Sequence, residues 1–185
     1  MGQNIFEKRN FYVITGGPGV GKTTLLDAME KEGFSVVPEV ARKVIKEQQE
    51  MGGNALPWGD TGLYTKLMLK GSVESYIENA ENENIIFFDR GILDTICYSD
   101  MIGNGISAEM DEYAKKLYNK RVFILPPWFE IYATDSERKQ DWEEAEMTYH
   151  KMKIIYEKYG YDTIDVPRDS VRNRVSFVLL NMDIV

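Results

Sequence analysis

The sequence predicts an α/β fold in which helices cover both faces of a five-stranded parallel sheet. Four short apolar runs and a fifth, more polar segment at 162–166, with β-branched or aromatic residues in each, are separated by stretches whose apolar residues recur at helical spacing. This alternation is typical of parallel strands joined by right-handed crossovers. Because 185 residues are enough for one well-packed core, we expect a single domain over residues 1–185.

The first half of the chain is predicted to contain three strands and three helices. In order, they are a strand at 11–15, a helix at about 21–31, a strand at 34–37, helices at about 40–50 and 61–82, and a strand at 85–89. Pro38 ends the second strand, and the turn-forming residues 51–60 separate the second helix from the third. The third strand is apolar until Asp89, as expected for a strand covered on both faces, so we place it at the sheet centre.

The second half is predicted to add two strands and four helices. In order, they are helices at about 91–102 and 107–119, a strand at 121–125, a polar helix at about 136–158, a strand at 162–166 and a helix at about 170–182. Pro126 and Pro127 stop the fourth strand, and Pro167 stops the fifth. Ligands of such sheets gather outside the carboxyl ends of the strands, so the residues at those ends are the candidates for chemistry.

Composition and charge narrow the class of partner. The net charge of −8 argues against nucleic acid or an anionic membrane as the main partner. No apolar stretch approaches the roughly 20 residues that span a bilayer, and the first residues resemble neither a signal peptide nor a myristoylation site. The single cysteine, Cys97, cannot form an internal disulfide. These features predict a cytoplasmic protein.

A glycine-rich segment between the first strand and the first helix has the pattern of a phosphate-binding loop, or P-loop. Its residues are Gly16, Gly17, Pro18, Gly19, Val20, Gly21, Lys22, Thr23 and Thr24. The backbone amides of such a loop surround the β-phosphate, while Lys22 reaches the β- and γ-oxygens and the Thr23 hydroxyl ligates Mg²⁺. The alternative is a turn that only links strand to helix. We expect ATP or GTP with Mg²⁺ as cofactors, and the missing Asn/Thr-Lys-x-Asp signature favours ATP.

Asp89, at the carboxyl end of the third strand, is the second candidate ligand for Mg²⁺. P-loop proteins hold this ion with a carboxylate at a strand end as well as with the Ser/Thr hydroxyl. Arg90 follows directly, where its guanidinium can clamp the acceptor or the transferred phosphoryl group. The alternative for Asp89 is the N-cap of the next helix, a position that Asp prefers.

Glu39 stands at the carboxyl end of the second strand, and Arg42 follows one helical turn later in the same cleft. A carboxylate there is placed to accept a proton from a substrate hydroxyl, and such general-base help contributes about 10²- to 10⁴-fold in rate. The alternative for Glu39 is an ordinary first-turn carboxylate that the helix dipole favours.

Three further residues are candidates for a pocket that binds the phosphoryl acceptor. Asp94 and Tyr98 follow Arg90 at a spacing of four, so one face of that helix can look into the cleft. Trp58, in the loop 51–60, can supply a stacking wall. The alternatives are helix capping for Asp94 and core packing for the two aromatic residues.

The remaining candidates lie in the second half of the chain. Arg138 stands at the start of the polar helix, within a predicted lid at about 126–158 that would bring positive charge onto the transferred phosphoryl group. Pro167 ends the fifth strand close to the phosphate loop, where we expect the nucleotide base.

The motifs together resemble those of the AAA_28 group of P-loop proteins, which is akin to nicotinamide riboside kinase domains and, more distantly, to deoxynucleoside and thymidylate kinases. The segments that carry the resemblance are 16–24, 36–42, 87–94, 124–140 and 165–175. The resemblance implies a three-layer P-loop fold with strand order 2-3-1-4-5 and a helical lid that carries Arg138. It also sets Asp89 and Arg90 in the place of the kinases' acidic residue and arginine, and Glu39 in the place of their catalytic carboxylate.

Two functions are compatible with these residues. We expect phosphoryl transfer from ATP·Mg²⁺ to a small, nucleoside-like metabolite, because Glu39, Arg42, Arg90 and Asp94 exceed what hydrolysis needs. The alternative is a slow ATPase or a nucleotide-dependent switch whose bound state is read by a protein partner. No glutamine is evident for orienting an attacking water.

Overall fold

The computed structural model describes residues 7–115, 117–131 and 142–183. The strands are β1 (Phe11–Gly16), β2 (Ser35–Val37), β3 (Ile86–Asp89), β4 (Arg121–Leu125) and β5 (Asp162–Asp165). The helices are α1 (Lys22–Lys31), α2 (Val40–Met51), α3 (Thr61–Glu78), α4 (Ile92–Met101), α5 (Ala108–Tyr113), α6 (Trp142–Lys158) and α7 (Val171–Leu180), with a 3₁₀ turn at Phe129–Ile131. Within these ranges, no helix is long and apolar enough to cross a membrane.

The five strands form one parallel sheet in the order β2-β3-β1-β4-β5, which confirms the predicted order. The centre of the sheet is β1, so the prediction that the third strand lies there is wrong. Strand β3 is nevertheless internal, because β2 and β1 pair with its two edges. Its apolar run reflects helices on both faces rather than the central position.

Side chains of β1 alternate between two hydrophobic cores, one on each face of the sheet. Phe11 and Val13 join the core that α3, α4 and α6 cover. Tyr12 and Ile14 join the core that α1 and α7 cover. The period of two along a strand thus produces the three layers of the fold. Because the sheet is parallel, the carboxyl ends of all five strands lie at the same end of the sheet. The predicted site residues that follow these strands are therefore brought to one side of the molecule.

Helix α5 is shorter than predicted, because it ends at Tyr113 rather than near residue 119. The residues that follow are held by contacts with other elements. The Leu117 carbonyl oxygen accepts from the Tyr76 hydroxyl at 2.7 Å, and the Leu117 amide donates to the Tyr161 hydroxyl at 3.1 Å. The backbone amide of Asn119 donates to the Phe11 carbonyl oxygen at 2.8 Å. Tertiary hydrogen bonds therefore override the helical pattern of this segment.

Candidate active site

The phosphate loop connects β1 to α1 and lines a cavity of about 610 Å³ with residues 17–24. Gly16 has a φ of 145°, and a Cβ atom there would lie 2.7 Å from the Leu125 carbonyl oxygen of β4. Gly21, with a φ of 76°, is the N-cap of α1. No side chain caps this end of the helix and its first turn has no acidic residue, so its positive end is available to an anion.

Lys22 lines this cavity and pairs with Asp89, which lines a second cavity beside it. The Lys22 side chain is 6% exposed and pairs with Asp89, and its Nζ lies 3.6 Å from Glu39 Oε2. Burial raises the pKa of Asp89, and the charge of Lys22 offsets only part of this effect. Thr23 is exposed in the first turn of α1.

Thr23 and Asp89 fit the protein's share of a magnesium site. In P-loop proteins one hydroxyl and one carboxylate hold the ion, and phosphate oxygens and water complete its octahedral shell. In the described ranges, no group of three or more His, Cys, Asp or Glu residues could hold a metal by itself. The donor set therefore suits a cation that arrives with a nucleotide.

Glu39 is surrounded by three cations. Arg90 Nε donates to Oε1 at 2.8 Å, Arg42 Nε donates to Oε2 at 3.1 Å, and Lys22 lies just beyond. Burial raises the pKa of Glu39, but the charges of Arg90, Lys22 and Arg42 outweigh it and lower the pKa to about 2. The carboxylate is ionised at neutral pH, so it can accept a hydrogen bond from an acceptor hydroxyl.

The stability of the fold should depend on pH through Glu39. Its pKa is near 4.5 in the unfolded chain and about 2 in the fold, so its ionised form stabilises the fold above pH 4.5. This contribution, about 3 kcal/mol, is lost as the pH falls towards 2. We expect Glu39→Gln to be less stable than the native protein at neutral pH, and the two free energies of unfolding, measured with urea, to converge in acid. A constant difference would contradict the assignment.

Arg90 has a backbone conformation that is uncommon for a residue with a side chain. Its φ of 70° lies in the left-handed region, which costs on the order of 1 kcal/mol or more. Its amide donates to the Ile14 carbonyl oxygen at 3.0 Å, and Nη1 donates to Asp94 Oδ1 at 3.3 Å. Burial lowers the pKa of Arg90, but Glu39 and Asp94 raise it by more, so the guanidinium keeps its charge. Such strain is often found at functional sites.

Asp94 holds Arg90 at a second guanidinium nitrogen, Nη1, while Glu39 holds Nε. Its Oδ1 accepts from Arg90 and from the Thr15 hydroxyl, and its Oδ2 accepts from the Gly91 amide at 2.8 Å and the Tyr156 hydroxyl at 2.6 Å. The Gly91 contact is the helix capping that the sequence left open. Because four donors already occupy the two oxygens, this geometry favours positioning of Arg90 over direct binding of an acceptor.

Replacing Asp94 with asparagine should destabilise the fold. An amide turns one acceptor atom into a donor that faces other donors, and breaking a buried ion pair typically costs about 3 kcal/mol. We expect the free energy of unfolding, measured by urea denaturation, to fall by about this amount. Asp100→Asn is a matched control on the same helix, because its partner Lys151, at 3.1 Å, lies at the surface. The Asp100→Asn variant should lose less than about 1 kcal/mol of its free energy of unfolding. Equal losses in the two variants would count against the role of Asp94.

The cavity that the phosphate loop lines is called the nucleotide cavity from here on. A second cavity, of about 440 Å³, lies beside it, and Glu39 and Arg90 line both. Trp58, 57% exposed, lines it from the loop before α3. Tyr98 lines it from α4 and packs edge to face on Tyr64, with ring centres 5.5 Å apart. The volume is typical of small-molecule sites, which span about 300–1,000 Å³. The structure thus brings Trp58 and Tyr98 to one pocket next to Glu39 and Arg90.

Two residues that line the nucleotide cavity, Arg174 and Trp128, were missed by the sequence analysis. Arg174 is 3% exposed and donates to the carbonyl oxygens of Val20 at 3.1 Å and Gly21 at 3.4 Å. Its guanidinium carbon lies 5.8 Å from the Trp128 ring centre. One sequence signal was available, because Arg174 interrupts the apolar stripe that the valines of α7 form.

Of the predicted site residues that the structure describes, Gly16 and Pro167 line neither cavity. Pro167 does not line the nucleotide cavity, and residues 169–171 line it instead. Arg138 lies outside the described residues. In the described part of the predicted lid, Thr148 and Met152 of α6 line the second cavity.

The parallel sheet, its strand order and the loop after β1 define a P-loop nucleotide-binding fold. The model of the AAA domain family AAA_28 matches residues 11–174. The chain therefore belongs to this family of AAA-domain proteins, which confirms the resemblance seen in the motifs.

Several solved structures, two of them of kinases, share the fold. Deoxyadenosine kinase from M. mycoides aligns with a TM-score of 0.61 and 17% identity, covering 95% of this chain and all of that one. The NadR protein in complex with NR aligns with a TM-score of 0.63 and 16% identity, covering 98% of this chain and 52% of that one. Thymidylate kinase from Ehrlichia chaffeensis aligns with a TM-score of 0.56 and 15% identity, covering 92% of this chain and 96% of that one. Among curated proteins, no sequence matches the chain.

Proposed function

We propose that this protein is a single-domain kinase that transfers the γ-phosphoryl group of ATP to a hydroxyl group of a small acceptor. The observation that carries the proposal is the pair of cavities that meet at Glu39 and Arg90. The phosphate loop lines one cavity, and the other has the size of a small-molecule site. Hydrolysis or a nucleotide switch would need only the first.

In this proposal the nucleotide lies in the cavity of the phosphate loop. Lys22 and the first amides of α1 contact the β- and γ-phosphates, and Thr23 and Asp89 hold Mg²⁺. When bound, the ion neutralises charge on the phosphate oxygens. Trp128 and residues 169–171 line the same cavity and are proposed to surround the base.

Glu39 is proposed to orient the acceptor hydroxyl. The hydroxyl oxygen forms a bond to the γ-phosphorus while the bond to the bridging oxygen breaks, so ADP leaves and the proton passes through Glu39 to water. Phosphoryl transfer has a loose transition state, for which positioning and charge stabilisation matter more than a strong base. A carboxylate with a pKa of about 2 suits this role, because it stays ionised while it accepts the hydrogen bond.

The cations around Glu39 are proposed to stabilise the transferred group. Arg90 contacts Glu39 and Asp94, so its guanidinium is fixed at the junction of the two cavities. Arg42 approaches the same carboxylate from α2. Arg138 is proposed to add a further charge from a lid at about 126–158.

The relatives in fold support an acceptor site of this kind. The deoxyadenosine kinase structure is described with the products dCMP and dCDP bound, and the NadR structure with NR. We propose that the acceptor here is likewise a small, nucleoside-like molecule in the cavity beside the phosphate loop.

The proposal is tested by measuring ADP release from Mg·ATP with and without a pool of nucleosides, nucleotides and hydroxylated metabolites. We expect the pool to stimulate ADP release in the native protein and not in Lys22→Ala, which controls for contaminating kinases. A slow rate that no acceptor changes would instead support the ATPase or switch.

A further inference from the structure

The charges around the transfer point balance one another. Three cations, Lys22, Arg42 and Arg90, face three carboxylates, Glu39, Asp89 and Asp94. Each cation is within 3.3 Å of at least one of these carboxylates. In the part of the chain that the structure describes, this cluster has no cation in surplus.

The second cavity is, by itself, acidic. Of its described lining residues, Arg90 is the one cation, and the carboxylates are Glu39, Asp89 and Asp94. An acceptor with a phosphate or carboxylate would bring further negative charge beside these groups and beside the γ-phosphate. Like charges at such short range are strongly unfavourable unless a cation is free to bind them. The charges of the described lining residues therefore disfavour anionic acceptors.

The aromatic lining of the second cavity favours a flat ring. Trp58, Tyr64 and Tyr98 line it together with Met68 and Met101. Aromatic rings and thioethers pack well against the face of a heterocycle. Because Glu39 and Arg90 lie at the junction with the nucleotide cavity, a ring held there would place an attached hydroxylated arm at the transfer point.

We infer that the acceptor is a flat heterocycle with a hydroxylated arm and without a phosphate or carboxylate group, as a nucleoside is and a nucleoside monophosphate is not. This inference rests on the proposed kinase function and narrows its substrate class.

The inference is tested by comparing kcat/KM for matched acceptors, each nucleoside against its own 5′-monophosphate, at saturating Mg·ATP. We expect the nucleoside to be preferred by about 100-fold or more. If the monophosphate is used as well or better and Arg42→Gln abolishes that activity, the inference is wrong and Arg42 is the ligand of the anion. If no acceptor is phosphorylated by the native protein, the proposed function itself fails.

The ring position has a separate test on the nucleoside that serves best. Removing a stacked aromatic ring weakens the binding of a base about fivefold or more, so Trp58→Ala should raise the KM for the nucleoside by this factor. The KM for ATP should stay within about twofold, because Trp58 does not line the nucleotide cavity. Met51→Ala is the control, because Met51 is 71% exposed and lines neither cavity. An unchanged nucleoside KM in Trp58→Ala would contradict the proposed ring site.

Discussion

Lys22→Ala is expected to lower the rate of phosphoryl transfer by about 10²- to 10³-fold, the loss that follows removal of one preorganised charge from a transition state. Lys22 is buried beside Asp89 and Glu39 at the floor of the nucleotide cavity. Alanine leaves these two carboxylates without their shared cation, in the place where the triphosphate must enter. Affinity for ATP should fall as well, and both effects are measured by steady-state kinetics and by nucleotide titration.

Lys31→Ala is the matched control for this variant. Lys31 is an exposed residue at the other end of α1, so its removal changes the net charge by the same amount far from the cavity. Its rate should match that of the native protein. If Lys22→Ala remains folded and keeps more than about a tenth of the native rate, the phosphate loop is not the site of transfer.

Glu39→Gln is expected to lower kcat by about 10²-fold or more, the lower end of the range for general-base help. Glutamine keeps the shape of the side chain but loses the charge that draws Arg90 and Arg42 to one point. The acceptor hydroxyl then loses its ionised partner. Because the phosphate loop is unchanged, the Kd for ATP should change less than tenfold, as a separate titration would show.

Glu47→Gln removes an equivalent charge from the exposed face of α2, where the partner of Glu47 is Lys43 at 4.0 Å. Both kcat and the Kd for ATP should be those of the native protein. A Glu39→Gln variant with native kcat would show that Glu39 is only a structural partner of its cations, the alternative that the sequence left open.

Much of the fold could be predicted from local patterns. Each of the first four strands is a short, mainly apolar run that ends at a proline, a glycine or a charged residue, and these signals depend on few neighbours. The centre of the sheet could not be read in this way, because β1 and β3 are both covered on two faces and are equally apolar. The end of α5 was missed because hydrogen bonds from distant elements hold residues 117–119.

The candidate site was predictable where its residues belong to motifs and not where they depend on tertiary contacts. The phosphate loop and the position of Glu39 and Asp89 at strand ends followed from the sequence. Two of the four donors on Asp94, the hydroxyls of Thr15 and Tyr156, come from distant parts of the chain, and no spacing rule reveals them. Arg174 reaches the loop from α7, more than 150 residues away in sequence.

The most direct test of the account follows the label of γ-labelled ATP in the presence of a nucleoside acceptor. The account predicts that the label appears in a phosphorylated acceptor, that Lys22→Ala slows this transfer about 10²-fold or more, and that Glu39→Gln slows it without a matching loss of ATP binding. Label found entirely in inorganic phosphate, at a rate that no acceptor changes, would contradict the kinase and leave an ATPase in its place.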